Sequence, residues 1–130
     1  ISPNDIMSYF GLTIMTDCHK IKMMVYISGP ITNNDNYILD FYNRESQLKK
    51  MGYQVCNPAA FSKEVEADIL YRFGRKPTYN EYMKFAIKKL LDCDAITMLP
   101  NWQESKGATA ERQIAIVLNY IQVEVRECLS

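Results

Sequence analysis

Apolar positions along the chain form two kinds of pattern, short unbroken runs and longer stretches at helical spacing, and the two kinds alternate. Met23-Met24-Val25-Tyr26-Ile27 is apolar throughout and stops at Ser28-Gly29-Pro30. A short run closed by turn residues reads as a strand buried on both faces. Asn33, Asn34 and Asp35 then offer N-caps, and Tyr37, Ile38, Phe41, Leu48 and Met51 recur near the helical period. That spacing predicts an amphipathic helix over residues 35–51, with Gly52 just past its end at the favoured C′ position. Tyr53-Gln54-Val55-Cys56, closed by Asn57-Pro58, predicts a second strand.

The pattern loosens from Ala59 to Tyr79, where residues 60–73 suit a helix and Gly74-Arg75-Lys76-Pro77 breaks it. Thr78 with Glu81 three residues on is a capping-box arrangement. Tyr82, Met83, Phe85, Ala86, Ile87, Leu90 and Leu91 follow as a wide apolar helix face. The run 94–99 predicts a third strand, 110–119 a helix with Ile114, Ala115, Val117 and Leu118 inward, and Ile121, Val123 and Val125 a fourth strand. Strands alternating with helices imply an α/β domain of three layers, Rossmann-like in the flavodoxin manner, with a small parallel sheet flanked by helices.

Residues 1–22 stand apart as an N-terminal extension or arm, leaving 23–130 as the domain. They hold no basic stretch leading to a small-residue cleavage site, so a signal peptide is not expected. Fifteen basic residues balance fifteen acidic ones, which argues against nucleic-acid and membrane partners. Cys18, Cys56, Cys93 and Cys128 are scattered and the chain has one histidine, so neither a zinc site nor a disulfide framework follows. Reduced thiols and a cytoplasmic location are the expectation, and no metal or cofactor is implied.

In a parallel sheet of this kind, ligands bind beyond the carboxyl ends of the strands, where the strand order reverses. That rule gathers Ser28-Gly29-Pro30, Asn57-Pro58 and the segment from Leu99 to Glu111 at one edge. Within the last segment, Ser105-Lys106-Gly107-Ala108-Thr109-Ala110-Glu111 reads as a small-residue turn entering a helix. Gly107 and Ala108 would admit a ligand close to the backbone. Glu111 would stand in the first helical turn, where free N–H groups and the dipole favour a carboxylate. It reads either as a nucleophile or base, or as an ordinary helix-start glutamate.

Other residues carry similar pairs of readings. Tyr26 is either a hydroxyl presented at the strand end or a core tyrosine. Ser105 is either a donor to phosphate or sugar or a solvated serine. Trp102 stacks on a base or packs its own loop. Arg72, Arg75 and Lys76 make a basic cluster that is either solvated or a phosphate clamp. Asp94 opens its strand at the end opposite the site and reads as a turn or capping residue. The turn Ser28-Gly29 lacks both the GxGxxG and the GxxxxGK[ST] patterns, although its N–H groups suit an anion.

Taken together, Tyr26-Ile27-Ser28-Gly29-Pro30-Ile31-Thr32, Asn57-Pro58, Tyr82-Met83, the run from Cys93 to Trp102, Ser105-Lys106-Gly107-Ala108 and Glu111 resemble a phage and bacterial domain family. That family has no established function and is similar to the nucleoside 2-deoxyribosyltransferase superfamily. The resemblance covers about residues 23–125. It implies that Glu111 attacks the anomeric carbon of a deoxynucleoside or its 5′-phosphate, that Tyr26 orients Glu111, and that Ser105 contacts sugar or phosphate. Ser28, Gly29 and Pro30 would lie by the sugar-phosphate, and Asn57, Trp102, Gly107 and Ala108 would complete the substrate site. The superfamily also carries an aspartate eight residues before the one matched by Asp94, and Ala86 stands there instead.

The resemblance thus implies an enzyme that cleaves or transfers the N-glycosidic bond of a nucleoside or nucleotide, working without metal or cofactor. It also implies a homo-oligomer, since such pockets are often completed across a subunit interface. Ala86 motivates a second reading, a nucleotide-binding module without catalysis. A phage-type interaction protein using the fold as a scaffold is the third.

Overall fold

The computed structural model describes residues 23–125. The expectations for residues 1–22, and Cys18 and Cys128 with them, lie outside the described residues. The elements run β1 (Met24–Ser28), α1 (Tyr37–Lys50), β2 (Gln54–Cys56), α2 (Pro58–Phe73), α3 (Tyr79–Leu91), β3 (Ala95–Met98), a 3-10 turn (Trp102–Glu104), α4 (Lys106–Val117) and β4 (Ile121–Gln122). The four strands pair in the order β2-β1-β3-β4, all parallel. The chain is therefore the three-layer α/β domain that the alternating pattern implies.

Strand periodicity explains the two cores. Val25 and Ile27 point to one face of β1, where they meet Phe41 and Leu48 of α1. Tyr26 points to the other, where it meets Phe61, Val65 and Ile69 of α2, Ala86 and Leu90 of α3 and Ala115 of α4. A strand with successive side chains buried on opposite faces has to be apolar throughout, which is why β1 reads as an unbroken run. Asp94 tops the register from outside the strand: its Oδ2 accepts the Met24 N–H at 3.0 Å.

Helix ends follow local chemistry. Gly52, at φ 96°, and Gly74, at φ 68°, take left-handed conformations that terminate α1 and α2. The Thr78–Glu81 capping box forms in both directions. Asn57 corrects the reading of the second loop: its Oδ1 accepts the Ala59 N–H at 2.8 Å, so α2 starts at Pro58 rather than two residues later. Helix α4 likewise starts at Lys106, not Ala110, and ends at Val117. Ile114 and Ala115 pack inward, whereas Val117 and Leu118 are exposed, contrary to expectation. The fourth strand is cut to Ile121–Gln122, yet Val123 remains buried against the α1 face and its N–H donates to the Ile96 carbonyl. Among the described residues no helix is long and apolar enough to cross a membrane.

Candidate active site

The strand order reverses between β1 and β3, and an open cleft of about 1590 Å³ lies along that edge. Its walls come from the turn after β1, the length of α1, the N-terminal half of α2, the N-terminal ends of α3 and α4, and the loop after β3. Glu111 lies on its floor.

Packing, not the helix start, sets the position of Glu111. Ser105 caps α4 by accepting the Ala108 N–H on its Oγ at 3.1 Å and the Thr109 N–H on its carbonyl at 3.0 Å, so the first turn of the helix is residues 106–108. Glu111 is in the second turn, and the first-turn expectation is corrected. Ala108, Glu111 and Ala115 fall three and four residues apart, and all three are buried on the face turned to the sheet. Glu111 is 6% exposed.

Two hydroxyls from β1 hold the carboxylate. Tyr26 Oη donates to Oε2 at 2.6 Å and Ser28 Oγ donates to Oε1 at 2.7 Å. They can do so together because residues two apart on a strand share a face. Burial pushes the Glu111 carboxyl above its ordinary range, and the two hydroxyls only partly oppose it. Burial, reinforced by the charge on Glu111, drives the Tyr26 phenol far above its ordinary range, so that hydroxyl stays a donor. Among the described residues no cation pairs with Glu111. A desolvated carboxylate oriented by neutral donors keeps lone pairs available, and nothing has to leave before it attacks or accepts a proton.

The other expected site residues divide. Gly29, Pro30, Ser105, Gly107 and Ala108 line the cleft with Tyr26 and Glu111. Ser105 has its oxygen engaged in the cap, which leaves its proton to donate. Ser28 is corrected from a sugar or phosphate contact to a holder of Glu111. Asn57 is corrected too: Oδ1 caps α2 and Nδ2 donates to Glu45 at 2.8 Å, so its side chain serves the fold. Trp102 stands outside the main cleft, its ring covered by the Arg112 guanidinium at 4.7 Å, which is the loop-packing arrangement. Arg72 pairs with Asp68, and Arg75 makes a two-pronged contact with Glu81 at 2.8 and 2.9 Å. Of that basic cluster, Lys76 alone lines the cleft.

Gly29 is required by close approach, and Gly107 sits against two movable side-chain ends. A Cβ on Gly29 would lie 2.7 Å from Leu99 Cβ and 2.8 Å from its Cδ1. Gly29→Ala is expected to destabilise the domain by about 1–3 kcal/mol in a denaturant titration, through overpacking beside β3. A Cβ on Gly107 would lie 3.2 Å from Met83 Sδ and 3.3 Å from Tyr79 Oη, across the cleft. Gly107→Val is therefore expected to weaken ligand binding more than folding, read as a loss of ligand-induced thermal stabilisation.

Tyr82-Met83 has a place in the resemblance but is given no role in the site. Tyr79, Tyr82 and Met83 line the cleft, but their spacing with Ala86 reads as an ordinary core stripe. Tyr37 and Asp40 of α1 also border it, as does Lys106 of α4, which the resemblance includes without a role.

No curated protein and no solved structure matches the chain. A family model described as a domain of unknown function (DUF4406) matches residues 23–123, a span that takes in all four strands and the Tyr26–Ser28–Glu111 constellation. The chain belongs to that family.

Proposed function

We propose that this domain cleaves or transfers the N-glycosidic bond of a (deoxy)nucleoside or nucleotide, with Glu111 as nucleophile. The observation that carries this reading is the buried carboxylate at the switch-point cleft, held through both oxygens by Tyr26 and Ser28 and paired with no cation among the described residues. One Glu111 oxygen attacks the anomeric carbon from the face opposite the base, the bond to the base nitrogen breaks, and a glycosyl ester forms. Water or a second base then displaces the ester and restores the carboxylate. Tyr26 and Ser28 fix the carboxylate in the attacking orientation, while Ser105 and the small surfaces of Gly107 and Ala108 receive the sugar or its phosphate.

The test is incubation with a panel of deoxynucleosides, their 5′-monophosphates and NAD, following released base by chromatography. Release that requires Glu111 supports the assignment, and release that survives Glu111→Ala undiminished removes it. A second reading, nucleotide binding without turnover, is favoured by Ala86, fully buried and apolar at the position where the superfamily carries a carboxylate. It predicts nucleotide-dependent thermal stabilisation with no base released.

A further inference from the structure

Tyr82, on the wall of the same cleft as Glu111, carries a buried hydroxyl with no hydrogen-bond partner among the described residues. A buried donor without an acceptor costs on the order of 1–3 kcal/mol, so the position is retained at a loss to stability. Phe61 places the Tyr82 ring in the same aromatic cluster as Tyr26. Its ring packs against Tyr82, with centroids 6.2 Å apart, and against Tyr26, 6.4 Å apart, and Tyr26 holds Glu111. The other acidic side chains on the cleft wall, Asp40, Glu66 and Glu104, are exposed to solvent. The step from bound nucleoside to glycosyl ester expels a nitrogen base, and a base leaves faster when its ring receives a proton as the bond breaks.

We infer that Tyr82 is the general acid of the reaction proposed for Glu111, donating its phenolic proton to the departing base. This rests on that reading of the site. In the first step the Glu111 oxygen bonds to the anomeric carbon, the electron pair of the carbon–nitrogen bond goes to the base, and the Tyr82 proton moves to the base ring. In the second, water adds its hydroxyl to the anomeric carbon, returns its proton to the Tyr82 phenolate and frees Glu111.

The charge change favours this order of events. Burial and the negative charge on Glu111 both push the Tyr82 phenol above its ordinary range, so it is fully protonated before reaction. Ester formation removes the Glu111 charge, and with it one of the causes that disfavour the phenolate. The acid strengthens as its proton is needed.

Tyr82→Phe is the test, because deleting an unpartnered hydroxyl leaves the packing intact. Its melting temperature should equal or exceed that of the wild type. Its kcat/KM on deoxynucleosides or their 5′-monophosphates should fall about 10²–10³-fold. On 4-nitrophenyl 2-deoxyribofuranoside, whose leaving group needs no proton, it should match the wild type. An equal loss on both substrate types would mean a packing role, and no loss on nucleosides would mean that Tyr82 donates no proton; either result overturns the inference while leaving Glu111 as nucleophile. A wild-type protein that releases no leaving group from any of these compounds overturns the glycosidic reading itself, and the acid role of Tyr82 falls with it.

Discussion

Exchange of Glu111 for Gln is expected to lower base release by at least about 10⁴-fold, the scale on which removal of a nucleophile is felt. The same variant is expected to be more stable than the wild type at neutral pH. Burial raises the Glu111 carboxyl above its ordinary value of 4.5, so the folded chain binds this proton more tightly than the unfolded chain does. The corresponding stability is fully present below that ordinary value and is lost as pH rises through the raised one. The wild type at neutral pH therefore carries a buried charge that Gln lacks, while Gln still accepts from one hydroxyl and can donate to the other. Melting curves should show Glu111→Gln above the wild type by a few degrees at pH 7–8, with the gap closing towards about pH 4. A variant that loses turnover and stability together would mark Glu111 as a structural residue.

Tyr26→Phe is expected to have the second largest effect. It deletes the 2.6 Å donor to Oε2 and leaves one face of a buried carboxylate without its partner. Hydrogen bonds to charged groups contribute about 1.5–3 kcal/mol, which corresponds to roughly 10–200-fold in rate if the attacking orientation depends on it. The pH dependence carries a sign. The Tyr26 hydroxyl holds the Glu111 carboxyl down against burial, so its removal should raise that group further. Activity requires the ionised form, and the acidic limb of kcat/KM should move to higher pH in Tyr26→Phe. Ser28→Ala removes the other opposing donor and should shift the limb the same way. A limb that stays in place would separate Tyr26 from the chemistry.

Much of the scaffold was readable from periodicity, because β1 is buried on both faces and the capping box and Gly52 each leave a local mark. The start of α4 was not. Ser105 favours a cap, but Gly107 two residues later lowers helix propensity and reads as loop. It lies in the capped first turn all the same, and a Cβ there would crowd Met83 and Tyr79, a constraint that lies on another element. Asn57-Pro58 does carry a readable mark, a cap residue followed by proline at the first helical position, but the same pair also reads as a turn closing the strand.

The candidate site divides along the same line. Tyr26 and Glu111 are separated by 85 positions, and no spacing rule joins them. The switch-point rule brings their segments to one edge and the resemblance pairs the two side chains; a 2.6 Å contact between them is present. Tyr82 was hidden for the opposite reason: it belongs to an apolar stripe that satisfies every expectation of a core helix face. Its hydroxyl becomes conspicuous only in the structure, where nothing among the described residues accepts from it.

The central claim is a covalent glycosyl bond to Glu111, and its most direct test is a trapping experiment read by mass spectrometry. Incubation with a 2′-fluoro-2′-deoxyarabinosyl nucleoside, whose fluorine slows breakdown of the ester, should add one sugar unit to the intact protein. Peptide mapping should place that unit on the Glu111 side chain, and Glu111→Gln should remain unlabelled. Release of base with no sugar retained, or with the sugar on a residue other than Glu111, would contradict the account.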